Sequence, residues 1–416
     1  MNYKYLILVP LVVLYFAGLL SLWISYRMNG DGKEEITSTD TADPEDLTTR
    51  KCSLYLYQSE VIPGSGFGII AGRHFQQSEL IEPQPGLILP RTFSSQFDNY
   101  VYSPPPPDDE YYTHNLLGIG GLLNHQNKHL NTYKHWETDD GEPVVSCEKQ
   151  VKAHTTFTSL SFHASQDILP GQEIFNSYSD DDSWFLTHFN LSITDQPEEN
   201  FQIPLASLEE YGICLSDVYV SESTLPLAGR GLFATKAFKR GELVTVSPVI
   251  LVEKAQAVRA GVNFLNKTNL MTNYMISNDN TNLAVFPTGQ GIFINHAEPS
   301  ECNIKIEWYD RNGYDSLAER LAMKVGDLCS LPSSALDIAY RATRDIAAGE
   351  ELTMYYGEHW KKSWDSYLHT KRAAVLRSAN MDSGEEDDFM YEEEFLPTFR
   401  ESIHPPSGLF PKGWML

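Results

Sequence analysis

The chain has little cysteine and uses it without pattern. Cys52, Cys147, Cys214, Cys302 and Cys329 are the only five in 416 residues, and no two stand at Cys-x-x-Cys or a comparable spacing. That absence excludes the usual structural zinc site, so no metal is expected. The odd number leaves at least one thiol unpaired within the chain, and buried thiols are the ordinary expectation. Positive charge is also scarce: 31 Lys and Arg against 56 Asp and Glu give a net charge of −25. Without a basic face a phosphate backbone cannot be held, so nucleic acid is not an expected partner. The acidity permits cationic partners such as Lys-rich peptides, although solubility alone also accounts for it. The chain's 42% hydrophobic and 12% aromatic content suits folded material, and its length gives room for two domains.

Charge is missing altogether from Tyr5 to Tyr26, a run of 22 residues. That length of helix crosses a bilayer and exceeds the apolar core of a signal peptide, so residues 1–27 are expected to be an uncleaved transmembrane anchor. Lys4 precedes the run, and Asp31, Glu34 and Glu35 outnumber Lys33 after Arg27. The bias favours a cytosolic N-terminus, with the bulk of the chain on the luminal or extracellular side of a single-pass membrane protein. Residues 28–51, polar and acidic without an apolar period, read as a tether. The sequons at Asn190 and Asn266 add weak support for a luminal face.

The informative stretch lies near the other end. Tyr340 to Gly357, YRATRDIAAGEELTMYYG, reads as a hairpin: two β-prone segments closed by a tight bend at Ala347-Ala348-Gly349. The chain contains it twice. Phe162 to Ser179, FHASQDILPGQEIFNSYS, matches it without a gap at six of eighteen positions. Further blocks repeat in the same order. Pro63 to Ala71 matches Pro226 to Ala234, each followed by Phe-x-x-x-Glu-Leu; Leu123-Asn124-His125 matches Ile294-Asn295-His296; Asn131 and Trp136 match Asn303 and Trp308. The offset grows from 163 to 171, 172 and 178 residues, which describes a duplicated domain with loop insertions in the second copy. Each copy therefore carries Gly-x-Gly, then Asn-His, then a Gly-x-Glu strand ending in Tyr. Singly these are a turn, a loop corner and a boundary residue; repeated together in one order, they read as a site.

Both copies resemble SET domains, the β-rich protein lysine methyltransferases that use S-adenosylmethionine. The resemblance rests on Gly229-Arg230-Gly231, Asn295-His296 and Tyr356-Gly357 in the second copy, and on Gly66, Gly68, Asn124, His125 and Tyr178 in the first. It implies a mainly β fold with minor α, two tandem knotted (β-clip) domains behind the transmembrane helix. In that fold the Asn-His segment and the Tyr strand meet around the cofactor. It also implies S-adenosylmethionine held by Gly229, Arg230, Gly231, Asn295 and His296, with Tyr356 as the catalytic residue and a lysine-bearing protein as substrate. Glycines would let the backbone approach the cofactor, and a Tyr hydroxyl would orient the amine for direct displacement. Tyr355 is expected on the opposite strand face.

This chain departs from the family's Asn-His-Ser-Cys-x-Pro-Asn. The second copy spreads Asn295 to Asn303 over two extra residues, and the first, Asn124 to Asn131, lacks the Pro and has Ser179 in place of Gly. The Cys-rich zinc segments that flank many histone-directed members are missing. The second copy therefore reads as the active one and the first as degenerate, kept for packing or for gripping a partner. The expected domains are 52–193 and 200–378, joined through the acidic, Pro-containing Thr194 to Glu199. Residues 379–416 form an acidic and aromatic tail in which Asp382 to Glu394 holds eight acids and no base. The variable insert of the second copy has a helical pattern over Ala255 to Asn273. The alternative function is a non-catalytic SET-fold interaction module tethered to a membrane.

Overall fold

A computed structural model describes residues 51–62, 65–90, 101–102, 112–116, 118–136, 138–139, 142–143, 145–147, 156–178, 183, 187, 202–225, 228–255, 274–277, 283–310, 317–329, 336–358, 360–362, 364–366 and 400–401. The expected anchor at 5–26, the tether before residue 51, the junction at 194–199, both sequons, the helix expected after residue 255 and all but two tail residues lie outside them. Among the described residues no helix is long and apolar enough to cross a membrane.

The fold is mainly β, with short helices at Leu205–Tyr211, Leu317–Ala322 and Val325–Cys329. Two sheets of the same design carry the repeat. In the first half, Phe67–Ala71 lies between Leu54–Gln58 and Glu173–Asn176, and Asn124–His125 runs parallel along the far side of Glu173–Asn176. In the second half, Arg230–Ala234 lies between Val218–Glu222 and Glu351–Met354, with Asn295–His296 parallel to the latter. A larger sheet supports each. Leu80–Pro90 pairs with Thr156–Ala164, which also takes Thr132–Trp136; Leu243–Glu253 pairs with Asp337–Ala342, which also takes Ile304–Trp308. Leu243–Glu253, LVTVSPVILVE, is almost wholly buried. Its β-branched residues on both faces suit a strand covered on both sides.

The expected hairpin is not one. Asp337–Ala342 and Glu351–Met354 belong to different sheets and pair with other strands, as do Thr156–Ala164 and Glu173–Asn176 in the first half. The tight bend instead carries the chain from one sheet to the other. The isolated bridges Phe238↔Ile346 and Phe75↔Ile168 fix the corner. All four of these side chains are buried, and burying apolar surface on both sheets is worth more than closing one ladder.

The first half's packing continues past residue 200. Ile203 and Leu208 join the cluster of Tyr55 and Ile70, and Ile213–Cys214 pairs with Leu54–Gln58. The second half's own sheet begins at Val218. The halves share hydrophobic contacts, for Val246 belongs to the core of Phe75 and Phe162, with Leu243 and Tyr309 packed against it. The expectation of free cysteines is corrected here: Cys52 and Cys214 form a disulfide across 162 residues, with a Cα–Cα distance of 5.7 Å. The adjacent strands bring the two thiols within bonding reach, which spacing in sequence could not reveal. Among the described residues Cys302 is free, and no cluster of three metal-ligating side chains occurs.

Candidate functional site

The parallel pairing of Asn295–His296 with Glu351–Met354 sets Asn295 beside Thr353 and His296 beside Met354. It gathers Gly229, Arg230, Gly231, Asn295, His296 and Tyr356 into one place. The side-chain amide of Asn295 donates to the Arg230 carbonyl at 2.8 Å, to Glu351 Oε1 at 3.1 Å and to Ser223 Oγ at 3.2 Å. Glu351 is the centre of this clasp, since it also accepts from Ser223 Oγ at 2.6 Å, from the Thr224 N–H at 2.7 Å and from the Thr224 hydroxyl. Burial pushes the Glu351 carboxyl up, but these donors outweigh it and hold the group below its ordinary range.

The two glycines of the motif have different jobs. Gly229 adopts φ 71°, a left-handed conformation that bends the chain into Arg230–Ala234. A Cβ on Gly231 would lie 2.3 Å from Glu351 Oε1 and 3.3 Å from Asn295 Nδ2. The space beside Gly231 is thus filled by the protein's own carboxylate.

His296 and Tyr356 are tied to the same corner. The Tyr356 N–H donates to His296 Nδ1 at 3.1 Å, so the hydrogen of a neutral ring sits on Nε2. The Tyr356 hydroxyl donates to the Ile294 carbonyl, one residue before Asn295. With that hydrogen committed, the phenolic oxygen has only acceptor capacity left. Tyr356 is buried, and the Trp360 ring meets it edge-on at 4.7 Å. Trp360 also lies 5.0 Å from His296 and stacks on Trp364 at 5.6 Å. The buried indole N–H of Trp360 has no acceptor among the described residues. Tyr355 turns its hydroxyl away to Glu358 at 3.0 Å, although its ring stays 5.4 Å from His296.

The first half repeats the arrangement. Asn124 donates to the Phe67 carbonyl at 3.2 Å and to Glu173 Oε1 at 2.8 Å, and Ser59 Oγ donates to Glu173 Oε2 at 2.8 Å. Gly66 has φ 86°, and a Cβ on Gly68 would lie 2.1 Å from Glu173 Oε1. The Tyr178 N–H donates to His125 Nδ1 at 2.9 Å, and its hydroxyl donates to the Leu123 carbonyl. Two differences stand out. Tyr178 is 37% exposed where Tyr356 is 4%. Glu173 is buried with fewer donors, and burial, aided by the charge of Glu60, raises its carboxyl to about 7.

Sequence reasoning missed Glu173 and Glu351 as site residues, although the Gly-x-Glu of the repeat contained both. It also left Asn131 and Asn303 as register marks. Asn303 accepts from the Thr353 N–H at 2.8 Å and donates to the Glu351 carbonyl at 2.9 Å; Asn131 does the same with Phe175 and Glu173. The extra residues between Asn295 and Asn303 are absorbed in a turn closed by Cys302 N–H to Glu298 O at 3.0 Å. The altered spacing therefore leaves the second Asn in its place.

The SET domain family model matches residues 66–179 and 229–357, more than half of the chain. No curated protein matches the sequence. Among solved structures, a candidate histone methyltransferase of Plasmodium falciparum is 18% identical with a TM-score of 0.24, covering 32% of this chain and 99% of its own. A polycomb repressive complex 2 in an autoinhibited conformation bound to S-adenosylmethionine is 23% identical with a TM-score of 0.24, covering 34% of this chain and 15% of its own. The Chaetomium thermophilum polycomb repressive complex 2 is 24% identical with the same TM-score of 0.24, covering 34% and 16%.

Proposed function

Since the chain belongs to the SET domain family, we propose that it is an S-adenosylmethionine-dependent protein lysine methyltransferase whose working site lies in its second half. The observation that carries this reading is the pair of anchors on one corner: Tyr356, its hydroxyl hydrogen bound to Ile294, and Asn295, its amide bound to Glu351.

The residues present suit the cofactor by their chemistry. A sulfonium cation is favoured beside an ionised carboxylate and aromatic faces, and Glu351, Tyr356, Trp360 and His296 supply them. The Trp360 N–H, without an acceptor among the described residues, offers a donor to a polar ligand atom. Gly229, Arg230, Gly231, Asn295 and His296 would hold the cofactor, with the first three contributing backbone. S-adenosylmethionine, when bound, supplies an electrophilic methyl group. The Tyr356 oxygen, its hydrogen committed to Ile294, would accept an N–H from a lysine amine and so orient that amine. Its burial under Trp360 excludes water from the transfer.

The membrane anchor belongs to this proposal. The Cys52–Cys214 disulfide supports a setting outside the reducing cytosol, in line with the flanking charges of residues 5–26. The test is calorimetric titration of S-adenosylmethionine into the detergent-solubilised full chain, repeated with Asn295→Ala and Asn124→Ala. Binding lost only with Asn295→Ala is the expected result. A folded chain that binds nothing would leave a tethered interaction module.

A further inference from the structure

Two clasps built on the same plan differ in the residue that follows their serine. Ser59 and Ser223 correspond, and each donates to its carboxylate. The next residue is Glu60 in the first half and Thr224 in the second. Thr224 gives Glu351 two hydrogen bonds, one from its main chain and one from its hydroxyl. Glu60 gives Glu173 neither, and instead adds a like charge beside it. Facing Glu351 are the neutral Ser223, Thr224 and Asn295; facing Glu173 are the neutral Ser59 and Asn124 with the acidic Glu60.

We propose that Thr224 and Glu60 are positioning residues that decide which half holds a cationic sulfonium ligand. Thr224 completes the clasp around Glu351, and Glu60 leaves the clasp around Glu173 incomplete. The inference rests on the cofactor reading above and explains the asymmetry of the halves without any loss of their Asn-His or Gly-x-Gly residues. The second half presents a fixed anion behind Asn295 across the neutral range. In the first half the carboxyl is substantially protonated at neutral pH, and it attracts a cation less. The effect reaches the ligand through the carboxylate and the Asn amide that it orients, so neither Thr224 nor Glu60 needs to touch the ligand itself.

The test uses the full chain in detergent, titrated with S-adenosylmethionine at about pH 6 and about pH 8, the range over which a carboxyl near 7 changes charge. The unaltered chain is expected to show one binding event with little pH dependence. Thr224→Val should weaken it by roughly tenfold, the worth of a lost charge-assisted hydrogen bond, and more at the lower pH. Thr224→Ser, which keeps the hydroxyl, should restore both affinity and pH profile. Glu60→Thr leaves the second half untouched, so it remains informative if Thr224→Val fails to fold; a second binding event is expected. Binding indifferent to both substitutions would overturn this inference alone. No binding by the unaltered chain would overturn the cofactor reading and this inference with it.

Discussion

Glu351 occupies the space that a side chain on Gly231 would need: a Cβ there would come within 2.3 Å of the carboxylate oxygen. The glycine is thus required by the clasp itself, whatever ligand it serves. Gly231→Ala should destabilise the chain by about 1–3 kcal/mol, because the neighbour is held by several donors and cannot step aside. Gly326 is the control. It lies in Val325–Cys329, where a Cβ would meet nothing within 4 Å, so Gly326→Ala should be neutral or stabilising by up to about 1 kcal/mol. Thermal unfolding of the two variants side by side checks the contrast.

Tyr356→Phe removes the oxygen that would orient the amine and leaves Asn295, Glu351 and His296 in place. Cofactor affinity should stay within about twofold while methyl transfer to a lysine peptide falls by roughly 10²–10³. Mass spectrometry of the peptide and calorimetry of the cofactor separate the two effects. A variant that loses both equally would make Tyr356 a structural residue.

Glu173 gives the first half a pH-dependent stability. Its carboxyl rises from 4.5 to about 7 on folding, so between those values the folded chain binds more protons than the unfolded one. Stability from this group is therefore full below the lower value and declines as pH rises through about 7, by about 3 kcal/mol in total. Glu173→Gln should flatten that slope. Urea unfolding at about pH 5 and about pH 8 measures it; equal slopes in both proteins would show that Glu173 stays ionised.

The disulfide joins residues 162 apart, so reduction releases a long loop in the unfolded chain. Cys52→Ser with Cys214→Ser should cost about 2–5 kcal/mol. Adding reductant should lower the melting temperature of the unaltered chain and leave that of the double variant unchanged.

Much of the site is legible in the order of the amino acids. The repeat named Gly229, Gly231, Asn295, His296 and Tyr356, and the sheets bring these together. Backbone geometry set by Gly and short polar motifs is local, and duplication doubled the signal. The hairpin reading failed because two adjacent β-prone segments do not specify their partners. Each found a strand far away in sequence, and the bend between Asp337–Ala342 and Glu351–Met354 became a corner.

What the sequence alone determined was the duplication, the scarcity of basic charge and the set of residues that belong together. These depend on composition and order, which the chain carries explicitly. Only the tertiary structure decided the rest: that Cys52 pairs with Cys214, that Glu351 fills the space left by Gly231, and that Glu351 collects more hydrogen-bond donors than the equivalent, more deeply buried Glu173. Each depends on the distance between groups far apart in the chain and on how completely water is removed from them.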